Sequence, residues 1–473
     1  MRGAPCVFLA VTTLFGCGRV ASTQRREDTA LRIGQAWAIN GLNPVMPDDG
    51  FAAEANYLVF DRLVFRDAAG KATGGLLERW QAVDGGRRFL LTLRAGIRFH
   101  DGSPVTAEDL EFTFEAIQNP SIESIYASLL DIESVERVDG LTVSVRLTHP
   151  FWHFPELLEF GVLPEHLLRG QSIKNSAFNQ HPVGAGPFRA LKIENGSVSL
   201  ERNVDYYGLK PEVERVIVNP YDSEQLWRRL LARQIEVALL IPWSKHRFLG
   251  QLHTIRTDEG TRLVAFAICF NLKRKPFDRA EARRALASAI DRRLLVERTQ
   301  FGFAKPTERL THDEVTRIPY DLESARNELG GQTLHLTLVG SDSNQVDVAM
   351  DLQRQLAASD ITLVIDPDKP WETADMTFCT HLDPQPLEYG AYKYGTALNP
   401  DSKDIDAIFD RIAETRDEAI RRSLFKEVED RILDGAPKTI LFWQTTFSAY
   451  RAEYCGYHMV SVFDGLEKMR PCP

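Results

Sequence analysis

The chain has 473 residues and a formal net charge of −10, with 44% hydrophobic and 26% charged residues. That length exceeds what one compact core usually holds, so two or three domains are expected. The acidic balance argues against nucleic acid, which needs a basic face to replace phosphate counterions, and short basic runs such as Arg228-Arg229 and Arg292-Arg293 read as solvated helix faces.

The N-terminus carries the one segment suited to a membrane. Residues 7–15 are apolar and follow a single positive charge, Arg2. The stretch is too short to cross about 30 Å of hydrocarbon, but it suits the apolar region of a secretory signal. It ends Leu14-Phe15-Gly16-Cys17, which resembles a bacterial lipobox. On that reading residues 1–16 are a signal peptide, Cys17 is lipidated and residues 17–30 are a polar tether. Phe15 is bulkier than the small residue usual there; a plain secretory signal or a membrane-tethered leader is the alternative. Cleavage before Cys17 leaves Cys269, Cys379, Cys455 and Cys472 in an oxidising compartment that permits disulfides. Cys455 and Cys472 close a short loop and are the expected pair. Cys269 lies in an apolar run and reads as a buried free thiol. No Cys/His cluster has zinc spacing.

Taken in order, the first strand is 31–37, with Leu31, Ile33 and Trp37 apolar, and it runs into a turn-rich segment at 39–44. A strand over 88–99 alternates at Phe89, Leu91 and Leu93 and ends in the turn His100-Asp101-Gly102. A helix follows over 107–117, capped by Thr106, with Glu108 and Asp109 favouring its positive end. Residues 141–147 alternate as another strand. The glycines and prolines of 181–188 make a rigid irregular turn. Its Gly-Ala-Gly is not a phosphate loop, because no Lys-Ser/Thr follows and Pro187 blocks a helix. Strands at 197–200 and 214–219, a helix capped by Ser223 and a strand at 237–241 come next. From 262 the chain reads as a buried strand to 271. Helices at 279–290, 292–299, 322–329, 345–358, 402–412 and 417–433 then alternate with strands at 333–339, 361–365 and 439–443, which argues for an α/β domain.

Several of these stretches together resemble a known family. Leu76-Leu77-Glu78-Arg79-Trp80 is followed by His100-Asp101-Gly102-Ser103-Pro104 and Thr106-Ala107-Glu108-Asp109. Then come Pro182-Val183-Gly184-Ala185-Gly186-Pro187-Phe188, Leu200-Glu201-Arg202-Asn203 with Tyr206-Tyr207, Pro276-Phe277-Asp278 and Ile290-Asp291-Arg292. Asp383-Pro384, Asn399-Pro400 and Ala436-Pro437 close the series. In this order and spacing the chain resembles the extracytoplasmic solute-binding proteins of peptide and nickel ABC importers, family 5.

The resemblance implies an α/β, two-lobed periplasmic-binding-protein-like fold of type II. Its sheets would be mixed with helices on both faces and a ligand cleft between the lobes. Residues 31–60, 183–261 and 443–473 would form lobe I, 61–182 its subdomain and 262–442 lobe II. It implies a monomer that captures a peptide or peptide-like solute and delivers it to permease subunits, from a lipid anchor in the periplasm or at the cell surface, without a cofactor. The ligand-facing residues it implies are Asn40 and Gly41 in the turn after the first strand, Tyr126 in the subdomain, and a loop after a strand at 374–378 that brings Phe378, His381 and Asp383. Peptide binders carry aromatic-x-x-Asp in that loop, and the aspartate holds the peptide ammonium. Here His381 stands at that place, with Asp383 two residues later. An imidazole suits a carboxylate, carbonyl or metal-chelate ligand better than a cation.

A nickel or metal-chelate binder is therefore an alternative, although only His149 and His153 are closely paired and Pro150 separates them from helical spacing. A ligand-capture subunit of a sensor is another. An enzyme is disfavoured, since neither Gly-x-Ser-x-Gly nor His-Glu-x-x-His occurs.

Overall fold

The computed structural model describes residues 30–46, 50–66, 71–124, 126–307, 318–338, 343–367, 369–382, 403–458 and 465–473. The expected signal segment, Cys17, the tether up to residue 29 and Asp383 lie outside the described residues.

Alternation sets the first strand: β1 (Leu31–Gln35) buries Leu31 and Ile33 and turns Arg32 outward. After α1 (Gly50–Val59), β2 (Val64–Arg66) and β3 (Ala72–Gly74) pair antiparallel. β4 (Leu77–Val83), β5 (Arg88–Leu93), α2 (Ala107–Gln118), α3 (Ala127–Leu130), β6 (Ile132–Arg137) and β7 (Thr142–Leu147) build the next unit. Its strands form an antiparallel sheet ordered β4-β5-β7-β6. Phe89, Leu91 and Leu93 of β5, with Val143, Val145 and Leu147 of β7, share one core with Leu110, Phe114 and Ile117 of α2. β5 stops at Leu93, six residues before the expected end, because Gly96 takes φ 83 in a turn. The α2 start is fixed by Asp109, whose carboxylate accepts the Thr106 amide and hydroxyl at 2.8 Å each and the Glu165 amide at 2.9 Å.

α4 (Glu165–Leu168) leads to β8 (Phe188–Glu194), β9 (Ser197–Arg202), β10 (Arg215–Pro220), α5 (Ser223–Leu231), β11 (Val237–Ala238) and α6 (His246–Gly250). The α5 cap is Asp222 and not Ser223: its carboxylate accepts the Gln225 amide at 2.8 Å. β11 is shorter than expected, because Leu240 turns to φ 52 and Pro242 has no amide to continue a ladder.

The remaining elements are β12 (Ile255–Phe270), α7 (Ala280–Ser288), α8 (Arg292–Thr299), β13 (Ala304–Pro306), α9 (Leu322–Leu329), β14 (Thr333–Thr337), α10 (Ser343–Ala357) and β15 (Thr362–Ile365). They are followed by β16 (Met376–Leu382), α11 (Lys403–Glu414), α12 (Glu418–Gly435), β17 (Lys438–Arg451), β18 (Tyr454–Cys455) and β19 (Arg470–Pro471). An eleven-stranded mixed sheet runs β15-β14-β16-β12-β17-β11-β1-β10-β9-β8, with β13 attached to β17. β12 and β17 are its long central pair, and β17 continues well past the expected end at 443 because its second half pairs with β11 and the start of β12.

Successive β12 side chains belong to different cores. Phe266, Ile268 and Phe270 join a core with Leu286 of α7, Leu295 of α8, Leu329 of α9 and Leu352 of α10. Ala265 and Ala267 belong to the largest core, which also holds Ile408 of α11 and Val428 of α12. Helices therefore cover both faces of this half of the sheet. A third core gathers Leu226 and Leu230 of α5, Trp243, Leu249 of α6, Phe447 and Ala449.

Candidate ligand-binding site

β1, β10 and β11 run parallel, so their C-terminal ends open at one edge of the sheet, the place where open α/β sheets hold ligands. The Asn40 turn leaves the end of β1 and is pinned from both sides. The Ile39 amide donates to Gly196 O at 2.8 Å and the Leu42 amide to Asn179 O at 2.9 Å, while Gln180 Nε2 donates to Asn40 O. Gly41 sits so close to Asn179 that a Cβ there would lie 3.1 Å from the Asn179 carbonyl oxygen. Residues 38–40, Gln180 and residues 193–196 surround a cavity of about 310 Å³. Its polar lining is mainly side-chain amide and backbone, with Glu194 as the acidic member.

Tyr126 does not line this cavity and is joined to the turn through packed side chains. Gly41 touches Asn179; Phe178 lies 6.0 Å from Phe60; Gly161 abuts Phe60; and the Phe160 ring is 4.8 Å from that of Tyr126. Burial raises the Tyr126 phenol well above its ordinary value, Tyr57 and Glu159 add to this, and Arg62 opposes it. The phenol therefore stays neutral and can only exchange hydrogen bonds. The Arg62 guanidinium lies 4.1 Å from the Tyr57 ring centroid and 4.6 Å from that of Phe65.

The second predicted group is placed differently. Phe378, Cys379 and His381 lie inside β16 and not in a loop after it, because the strand continues to Leu382 in register with β12. Phe378 pairs with Ile268 and is 2% exposed, with its ring 4.9 Å from Phe266 in the second core. His381 stands opposite Ala265 in the ladder. Cys269 is not a free thiol: it is bonded to Cys379 across β12 and β16, which the antiparallel register brings to a Cα separation of 6.0 Å. Cys455 and Cys472 form a second disulfide beside the β18–β19 pair.

The two glycine-bearing motifs fold onto each other. The His100 amide donates to Gly184 O at 2.8 Å, the Gly184 amide donates to His100 Nδ1 at 3.2 Å, and Nε2 lies 3.1 Å from Gly186 O. Nδ1 accepts, so the proton sits on Nε2 and the ring is neutral. Burial pushes the imidazole down to about 4; the Gly186 carbonyl pulls the other way. Gly184 and Gly186 press on Val59, where a Cβ on Gly184 would stand 2.1 Å from the Val59 carbonyl oxygen. These motif residues shape backbone.

Gln180 and Asn195 escaped the sequence reading. Gln180 meets Asn40 across 140 positions, a pairing that no local pattern announces. Among the described residues no group of three His, Cys, Asp or Glu is placed to hold a metal ion, and no helix is long and apolar enough to cross a membrane.

Residues 71–383 match the family described as bacterial extracellular solute-binding proteins, family 5 Middle. A putative ABC transporter peptide-binding protein of Brucella ovis is 28% identical over 316 residues, 63% of this chain. The match spans 58% of that relative's own length. Among solved structures, NikZ of Campylobacter jejuni in complex with Ni(L-His) superposes with a TM-score of 0.84 at 21% identity, covering 93% of this chain and 99% of that one. The oligopeptide-binding protein AppA of Bacillus subtilis, in complex with a nonapeptide, does so at 0.84 and 19%, covering 94% and 99%.

Proposed function

The chain belongs to the family 5 bacterial extracellular solute-binding proteins, and from that premise we propose that it captures a peptide or peptide-like solute outside the cytoplasm and delivers it to ABC permease subunits. The observation that carries this reading is the Asn40–Gly41 turn. It leaves the end of a parallel strand and walls a cavity whose polar side chains are mainly amides, the chemistry that pairs with a peptide backbone. A peptide-binding relative in Brucella ovis supports the same class.

The proposed lobes are residues 31–60, 183–261 and 443–473, with subdomain 61–182, and residues 262–442; β12 and β17 cross between them. Closure over the ligand would hide it from water and present a shape the permease reads. Asn40, Gly41 and Tyr126 form one wall, and His381 with Asp383 is assigned to the other. The protein acts as a monomer held by a lipid on Cys17.

A thermal-shift screen tests this, using di- to nonapeptides, organic anions and Ni²⁺ with histidine. At least one peptide raises Tm and reduces the radius of gyration in solution scattering. If no peptide does either, peptide capture is wrong; a response to Ni²⁺–histidine alone would move the assignment to metal chelates. Mass spectrometry of membrane fractions checks the anchor, since a Cys17 without diacylglycerol excludes it.

A further inference from the structure

The short turn Trp243–Lys245 and the following His246 meet the second lobe at Phe303. Trp243 is anchored on its own side, with Nε1 donating to Thr445 O at 2.9 Å. On its open face lies Phe303, ring centroids 4.8 Å apart and planes 19° from parallel. The His246 ring fills the corner, 4.6 Å from Phe303 and 4.9 Å from Phe447. Phe303 sits between α8 and β13, whose side chains Leu295, Val296 and Ala304 pack in the second core. Its own ring packs against the third core. Among the described residues it is the one apolar side chain from positions 262–442 to do so.

Lys245, in the same turn, is fixed by Glu224 at 3.4 Å and by the Trp227 ring at 5.1 Å. At Asp347, near the start of α10, burial raises the carboxyl above its ordinary value and the positive field of Lys245 opposes this. The Trp243 contact lies beside the place where β12 and β17 shift register, between Glu259 and Leu263, since Thr445 pairs with Leu263. A bulge concentrates bending in a strand pair, so the lobes turn most easily there. Side chains bridging the lobes close to that pivot fix the angle at which rotation ends.

We propose that the 243–246 turn is the stop that holds the second lobe at the angle the structure shows, with Phe303 stacking on Trp243. This rests on the two-lobed reading above and adds the contact that sets the angle between the lobes. Aromatic stacking prefers offset parallel rings over a narrow range, so the Trp243–Phe303 pair defines a geometry and does not merely add attraction. The attraction of Lys245 for Asp347 adds to it at longer range.

Hydrogen–deuterium exchange on the unliganded full chain tests it, read on peptides covering residues 300–307 and 343–350. Lys245→Glu and Asp347→Lys singly should raise exchange there about two- to fivefold, the range expected for an exposed pair. The double charge swap should return it to the wild-type rate. Trp243→Ala should raise exchange in the first segment, and Trp243→Phe, which keeps a ring to stack, should not. Unchanged exchange in the single variants overturns the proposal, as does a swap that fails to restore protection. The experiment needs no ligand, so a peptide screen without hits leaves this result to be judged by itself. Conversely, intact charge-swap rescue with no peptide response would remove peptide capture and keep the stop.

Discussion

Acidification should destabilise this protein through His100, and the size of the effect follows from its surroundings. The free imidazole titrates near 6.5, whereas burial holds His100 at about 4 in the folded chain. Between those values the unfolded chain binds a proton that the folded chain refuses, so stability falls as pH drops from 6.5 to 4. The His100 contribution is fully present above pH 6.5. Two and a half pH units at 1.36 kcal/mol each amount to about 3 kcal/mol. The structural cause is specific: protonated Nδ1 would turn an N–H toward the Gly184 amide, which now donates to it. Urea unfolding followed by near-UV circular dichroism, from pH 4.0 to 7.5, should show a steeper loss in the wild type than in His100→Gln, whose amide does not titrate. Parallel curves for the two proteins would refute the reasoning, because other carboxylates titrate in both.

Three other outcomes are expected. Replacing Cys269 and Cys379 by serine opens a loop of 110 residues, and Cys455 and Cys472 one of 17. Chain entropy puts the losses at about 4 to 5 and about 3 kcal/mol, to be read from urea unfolding with the slope fitted for each protein, since the unlinked unfolded chain exposes more surface. The reverse order would contradict that account. Gly184→Ala drives a Cβ against the Val59 carbonyl and should lose about 2 kcal/mol or more, whereas Gly140→Ala, which meets nothing within 4 Å, should melt like the wild type. Asp109→Ala removes the acceptor of three hydrogen bonds at the α2 start and should cost about 1 to 2 kcal/mol by thermal denaturation, with Asp109→Asn intermediate.

Local patterns told most about elements buried on one face. Alternation in β5 and β7, and the apolar stripe of α2, mark the subdomain sheet because each side chain there answers to one interior. The approach fails where partners are remote. Nothing near Phe378 says that its strand runs on to Leu382; the register with β12 decides that, and with it the joining of Cys379 to Cys269. Likewise the end of β17 depends on β11 and on residues nearly 200 positions earlier in β12. At the candidate site the Asn40 turn could be read from its turn residues after a strand. Gln180, which grips it, enters through the fold alone.

The central β12–β17 pair also bears on how the molecule comes apart. These strands supply ladder bonds and core side chains to both halves of the sheet: Phe266 and Phe442 stack in the second core, while Trp443 and Tyr450 serve the first. Neither half can lose its order without stripping a neighbour of its innermost strands. Melting therefore cannot proceed lobe by lobe, as in proteins whose domains are strung on a flexible linker. A scanning calorimeter should record one heat-absorption peak, its van't Hoff and calorimetric enthalpies close to equal. The strand pair that joins the two halves is thus also what makes them share a single melting event.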